Sequence, residues 1–267
     1  LKVRRGEISL ELQSKWALVG GASQGIGSAI AQIFAENGAR VILMSRGIDK
    51  LEAVRKSLPN PEHHVSFPAD LEALDKLSPA LQKLVRTTGP IEIVVNNSGG
   101  PAAGPLVAAD VLEFEKGFRS HILASQLIMQ SVLPGMKDRS YGRFINIIST
   151  SVKIPIPNLG VSNTIRAAMA NWSKTLASEV GPFGITVNNI LPGYTKTPRL
   201  ESLANNTAKR ESKDVSEVEQ SWINAIPARR FAEPREIAEA ALYLASKRAA
   251  YVNGTQIVVD GGRTGCL

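Results

Sequence analysis

Short apolar runs rich in β-branched residues alternate along the chain with longer stretches in which apolar positions recur at helical spacing. The rhythm runs from Lys15 to Asp260 without a linker or an internal repeat. Such alternation predicts βαβ units and a parallel sheet. Strands are predicted at Trp16 to Val19, Arg40 to Met44, His64 to Phe67, Ile91 to Val95, Arg143 to Ile148, Thr186 to Ile190 and Gln256 to Val259. Their continuous apolar character predicts burial on both faces. After the first strand, Ile26, Ala29, Ile30, Ile33 and Phe34 form one helical stripe, and Gly38 supplies the left-handed stop before strand two. The longer stretches Asp110 to Met136 and Ser162 to Val180 carry more apolar surface than one subunit needs, which predicts burial of part of it between subunits. The expected fold is α/β: a Rossmann-type, doubly wound, parallel seven-stranded sheet in a single domain spanning residues 9–267.

Composition agrees. The 267 residues are 43% apolar, enough for one large core. The single cysteine, Cys266, excludes an intramolecular disulfide framework. No apolar run reaches the roughly 18 residues of a membrane helix, so a soluble, cytoplasmic protein without membrane contact is expected. Residues 1–8 are set aside as a leader; without Lys2, Arg4, Arg5 and Glu7 the net charge of +7 falls by two. The remaining excess is spread along the chain without basic blocks interleaved with aromatics, and no nucleic-acid partner is expected.

One segment breaks the rhythm. Residues 198–227 are polar and contain Lys209, Arg210, Glu211, Lys213 and Asp214. They read equally as a mobile lid over a substrate site or as an amphipathic surface excursion.

The candidate chemistry begins directly after strand one, where Gly20-Gly21-Ala22-Ser23-Gln24-Gly25-Ile26-Gly27 leads into the first helix. Glycines at this junction allow a tight turn and close helix packing, and they place a pyrophosphate at the positive end of the helix. In dinucleotide-binding folds a carboxylate about 20 residues later holds the ribose of NAD. Here strand two ends Met44-Ser45-Arg46. Arg46 can instead pair with a 2′-phosphate, with Ser45 donating a neutral bond and Arg40 or Lys50 assisting, so NADP is expected over NAD. Asp70 and Leu71 follow strand three, where an adenine ring could lie, although Asp70 serves equally well as a helix N-cap. Asn97, Ser98 and Gly99 end strand four, again at the carboxyl edge where open α/β sheets bind ligands. His63 and His64 have no partner spacing that suggests a metal.

From about Leu10 to Gly262 the chain resembles the short-chain dehydrogenase/reductase family. The resemblance rests on Gly-Ala-Ser-Gln-Gly-Ile-Gly at 21–27, Asn-Asn-Ser-Gly at 96–99, Ile-Asn-Ile-Ile-Ser at 145–149, Pro-Gly-Tyr-Thr-Lys-Thr at 192–197 and Val-Asp-Gly-Gly at 259–262, and on the approach to the last helix at 226–236. It implies a homodimer or homotetramer that moves hydride between NADP(H) and a small carbonyl or alcohol, with Pro192, Gly193, Thr195 and Thr197 joining the cofactor site. It also implies a serine that holds the substrate oxygen, a tyrosine that moves the proton, a lysine four residues later on the same helical face, and an asparagine that orders a water relay. Ser149 fits the serine. The tyrosine position is Ser162, the lysine position Arg166 and the asparagine position His121, a pattern similar to a minority, ketoacyl-reductase-like branch.

Each departure has a physical reading. Ser162 has a shorter reach and is a far weaker acid than a phenol. Arg166 keeps charge and donors for ribose hydroxyls but cannot deprotonate, so it can hold the cofactor. His121 is the remaining candidate acid or base, although a histidine partly buried on a long helix is more often a satisfied structural residue. Lys153 and Tyr194 are further candidates to line the substrate pocket. General acid catalysis contributes about 10² to 10⁴ in rate, whereas holding the reactants in contact is worth ~7 to 11 kcal/mol. A slow reductase of electron-poor carbonyls or quinones is therefore compatible with the departures. The alternative is a nucleotide-sensing or partner-binding protein that kept the fold and lost turnover.

Overall fold

The computed structural model describes residues 11–266. The leader at residues 1–8, and Ser9 and Leu10 where the folded domain and the resemblance were expected to begin, lie outside the described residues, as does Leu267. Seven strands form one sheet: β1 (Trp16–Gly20), β2 (Arg40–Ser45), β3 (Val65–Pro68), β4 (Ile93–Asn96), β5 (Gly142–Ile147), β6 (Ile185–Pro192) and β7 (Gln256–Val259). Their order is β3-β2-β1-β4-β5-β6-β7 and every pairing is parallel. This is the expected doubly wound Rossmann-type sheet in one domain.

Period-two alternation sends the apolar side chains to two cores. Ala17, Val19, Val41, Leu43, Ile93, Val95, Ile145 and Ile147 face one core, which is completed by Ile30 and Phe34 of α1 (Gly25–Glu36), Leu51 of α2 (Ile48–Ser57) and Ile237 and Leu244 of α9 (Pro234–Ala245). Leu18, Ile42, Met44, Val94, Phe144 and Val187 face the other, against Leu81 of α3 (Leu74–Thr88), Ile128 of α5 (Ala124–Asp138) and Leu176 of α6 (Gly160–Val180). Truncating a fully buried side chain such as Phe34 to alanine would cost about 3 to 5 kcal/mol. The expected burial on both faces holds for the five central strands but not for β3 and β7. These are the two edges of the sheet, and each has a neighbour on one side only.

Gly38 has φ +84° and ends α1 as expected. The stretch from Asp110 is α4 (Val111–Phe118), a π-helical turn at Arg119–Leu123, and α5. The surplus apolar surface expected of both long stretches is found on one. In α6 the apolar positions are mostly covered within the chain, whereas α4 leaves Val111, Leu112 and Phe118 at 70%, 56% and 44% exposure. Between Pro198 and Asn224 the polar segment folds into α7 (Pro198–Glu211) and α8 (Val215–Asn224). Thr197 and Asp214 cap these helices, and Leu200, Ile226 and Phe231 form a small core beneath them. No helix among the described residues is long and apolar enough to cross a membrane.

Candidate active site

Strand order reverses between β1 and β4, and at that switch point a cleft of about 1150 Å³ opens along the carboxyl ends of the strands. Its first wall is the glycine turn. Gly21 and Gly25 adopt φ +60° and +57°, which L side chains rarely take, and a Cβ on Gly27 would stand 2.2 Å from the Gly21 carbonyl oxygen. Much of the space the glycines leave is filled by protein. A Cβ on Gly21 would meet Asn97 Nδ2 at 2.6 Å, and that amide donates to the Gly20 carbonyl at 3.1 Å. Gly21, Ser23, Gln24, Gly25 and Ile26 line the cleft, while Gly27 sits behind it in the helix–strand contact. The N-terminus of α1 carries no side-chain cap, so its positive end faces the cleft.

At the β2 end, Ser45, Arg46 and Lys50 line the cleft; Arg46 is exposed and enters no ion pair among the described residues. The Ser45 hydroxyl is buried without a hydrogen-bond partner. Arg40 does not join them. It opens β2, at the opposite end from the cleft, with its guanidinium 5.7 Å from the Trp16 ring centroid. Asp70 and Leu71 line the cleft beyond β3. Asp70 is not a helix cap: its carboxylate accepts from the Glu72 amide at 3.0 Å in a turn, and α3 begins only at Leu74.

The far end is built from β5, α6 and the segment after β6. An amide network crosses the sheet beneath it: Asn96 donates to Asn146 at 2.7 Å, and Asn146 donates to Ser173 at 2.8 Å and to Asn189 at 3.1 Å. Ser149 lines the cleft, and its oxygen accepts from the Ser151 amide at 3.0 Å, which leaves the hydroxyl proton free to donate. Ser162 lies one helical turn before Arg166 on α6, and both line the cleft together with Asn97, Ser98, Gly99, Pro192, Gly193, Thr195 and Thr197. The Arg166 guanidinium donates to the Ile147 carbonyl at 2.9 Å. Burial, with a smaller contribution from the nearby Arg199 charge, lowers its pKa to about 10, so it stays cationic at neutral pH.

His121 does not line this cleft. It sits on the π-helical turn behind it, 5% exposed, beside a cavity of about 20 Å³ that it shares with Asn97, Ser120 and Arg166. Its Nδ1 donates to the Gly117 carbonyl at 3.0 Å, which leaves Nε2 as a bare acceptor with no partner. Burial, with a smaller contribution from the Arg166 charge, pushes the imidazole pKa down to about 3.

A family model described as enoyl-(acyl carrier protein) reductase matches residues 21–264, from the glycine turn to the loop after β7. The chain belongs to the short-chain dehydrogenase/reductase family. Among curated relatives, the oxidoreductase UcpA of Salmonella typhimurium is 36% identical over 258 residues, which is 95% of this chain and 96% of that protein. The NADPH-dependent reductase BacG of Bacillus subtilis is 30% identical over 254 residues, or 94% and 98% of the two chains. Among solved structures, L-sorbose reductase from Gluconobacter frateurii, complexed with NADPH and L-sorbose, superposes with a TM-score of 0.90 at 30% identity, covering 97% of this chain and all of that one.

In this short-chain dehydrogenase/reductase the two further candidates for the substrate pocket, Lys153 and Tyr194, separate. Tyr194 lines the cleft, its ring stacked on Trp222 of α8 at 4.8 Å, and burial raises the phenol pKa. Lys153 does not line it; it lies past the turn that Ser149 caps. Sequence reasoning missed Arg199, Arg263 and Gly100, all on the cleft wall. Arg199 and Arg263 follow recognisable motifs, but no local periodicity marks either of them. His63 and His64 meet no metal-binding cluster among the described residues. His64 instead accepts from the Val41 amide at 3.0 Å and faces the Pro59 carbonyl at 2.8 Å.

Proposed function

We propose that the protein is an NADPH-dependent reductase of small carbonyl compounds, working in the reverse direction on alcohols, with an altered proton-transfer apparatus. The observation that carries this reading is the cleft itself. One continuous groove joins Arg46, which enters no ion pair among the described residues, an uncapped helix end at Gly25 and the hydroxyl of Ser149. The residues fit NADP: Arg46 and Lys50 offer positive charge at the end of β2, neither position 45 nor 46 is a carboxylate, and the turn at 21–25 offers backbone N–H groups for a diphosphate. The reduced nicotinamide, when bound, supplies the hydride.

The protein's own residues do the rest. Ser149 donates to the substrate oxygen and orients it. Arg166 holds the nicotinamide ribose, and its charge stabilises negative charge that develops on that oxygen. Ser162 and Arg166 occupy the family's tyrosine and lysine positions, so no phenol stands beside the substrate oxygen at position 162 and the proton comes from water. His121 is neutral at pH 7 and cannot give a proton as imidazolium. Its Nε2 instead accepts from a water in the small cavity, which is large enough for one, and so orders the supply. The same reading assembles the chain as a homodimer or homotetramer through the exposed apolar residues of α4.

Fluorescence titration with NADPH and NADH, followed by a panel of carbonyls and quinones, tests the proposal. NADPH binding with oxidation by at least one acceptor supports it. The replacement of the phenol by Ser162 favours one competing reading, a nucleotide sensor, which tight NADPH binding without oxidation of any acceptor would establish. Replacing His121 with alanine should lower kcat and leave NADPH affinity in place; unchanged turnover would remove His121 from the mechanism.

A further inference from the structure

Beyond Arg166, the β4 end of the cleft carries positive charge that the reaction described above does not use, on Arg199 and Arg263. The point where a side chain on Gly100 would begin is 3.4 Å from Arg166 Nη2, 3.6 Å from Arg199 Nη2 and 3.9 Å from Ser162 Oγ. Glycine leaves this point open, and Gly100 lies on the cleft wall. The two guanidiniums donate to backbone carbonyls, Arg166 to Ile147 at 2.9 Å and Arg199 to Pro101 at 2.7 Å. Neither arginine has a carboxylate partner among the described residues, although Arg166 is only 9% exposed. A third arginine, Arg263, lines the same end above the Tyr194 ring at 4.7 Å and enters no ion pair among the described residues. Glu211, which lines the cleft from the end of α7, is already held by Arg210 and Lys213 at 3.0 Å each.

A buried cation without a counter-ion is costly, and Arg166 is one; the exposed Arg199 brings a second positive charge to face the same glycine. Such a cluster persists where a ligand supplies the missing charge. Two arginine forks and a hydroxyl facing the bare surface of Gly100 suit a planar carboxylate seated against that glycine, which takes paired N–H bonds from guanidinium better than from ammonium. The small Ser162 side chain leaves room there that a phenol would fill. The geometry points to an oxo-acid substrate, a carbonyl compound whose carboxylate is held over Gly100 by Arg166, Arg199 and Ser162 while its ketone oxygen meets Ser149.

This inference rests on the reductase reading for the substrate's ketone, but its test requires no turnover. Oxamate and oxamide have nearly the same shape and differ in charge, and neither is reduced. Calorimetric titration of the NADPH-loaded protein is expected to show oxamate binding about 30-fold or more tighter than oxamide. Arg199→Met should abolish most of that preference, Arg199→Lys should restore part of it, and Gly100→Ala, which places a methyl on the point itself, should weaken oxamate without weakening NADPH. Circular dichroism of each variant confirms folding. Equal binding of oxamate and oxamide, or a preference that survives Arg199→Met and Gly100→Ala, overturns the proposal. Inorganic phosphate that binds more tightly than oxamate overturns the carboxylate assignment in favour of a phosphorylated substrate. If NADPH does not bind, the same titrations run on the free protein, so failure of the cofactor reading is seen separately from failure of the anion site.

Discussion

Asn97, just past the end of β4, donates its side-chain amide to the carbonyl of Gly20 at the end of β1, at 3.1 Å. That bond ties together the two strands that flank the switch point and fills the space left by Gly21 and Gly27, where added Cβ atoms would stand 2.6 and 2.8 Å from the same nitrogen. Replacing Asn97 with leucine keeps the bulk and removes the donor, leaving a part-buried carbonyl without its partner. A loss of about 1 to 3 kcal/mol in unfolding free energy is expected, with weaker NADPH binding because the phosphate-facing turn loosens. Urea denaturation and cofactor titration of the variant measure both; unchanged values would show the bond to be incidental.

Arg46 is the test of cofactor choice. A charge-assisted bond to a 2′-phosphate is worth about 1.5 to 3 kcal/mol, so Arg46→Ala should weaken NADPH roughly 10- to 150-fold. NADH lacks that phosphate, so its affinity should barely change. Equal losses for both nucleotides would move Arg46 from recognition of the phosphate to support of the loop.

The fold was legible because its signal is local and repeated. Each predicted strand is present, with ends displaced by at most two residues, since period-two burial and glycine stops are written into the segments themselves. The glycine turn and the strand-end polar residues were legible for a related reason: ligands of this topology collect at one edge of the sheet. What the sequence could not supply depends on contacts between distant segments. Arg40 is close to Arg46 in sequence, yet the strand carries it to the opposite edge. Arg199 and Arg166 belong to different helices and meet only over Gly100. The residues after Pro198 contain few apolar positions and so resemble a loop, but the pair of helices needs only Leu200, Ala204, Ala208 and Val218 to seat it. The π-helical turn at His121 has no periodic signature in a chain segment of otherwise ordinary helical spacing.

The exposed side of α4 bears on assembly. Val111 and Leu112 present large apolar area to solvent beside Val107 at 98% exposure, a grouping uncommon on a monomer. Val111→Lys with Leu112→Glu should lower the mass measured by light scattering and leave the circular dichroism spectrum intact. A parent protein that is already monomeric, or a double variant of unchanged mass, would exclude this face as a subunit contact.

His121 makes a prediction about pH whose sign is fixed by its burial. Unfolded, its imidazole has the ordinary pKa of about 6.5, while in the folded protein burial and the Arg166 charge hold it to about 3. Between these values the unfolded chain binds a proton that the folded chain refuses, so stability rises with pH across the window and is lost as pH falls below 6.5. From pH 7 to pH 5 the loss from this residue amounts to roughly 2 kcal/mol. His64, also buried and shifted downward, adds to the loss in the same direction. Replacing His121 with asparagine removes its share, so the variant's urea midpoint should fall less between pH 7 and pH 5 than that of the parent. A variant with the parent's slope would mean that the imidazole takes up its proton in the fold as readily as in the unfolded chain, and at pH 5 Nε2 would then be a donor to the cavity instead of the acceptor that orders its water.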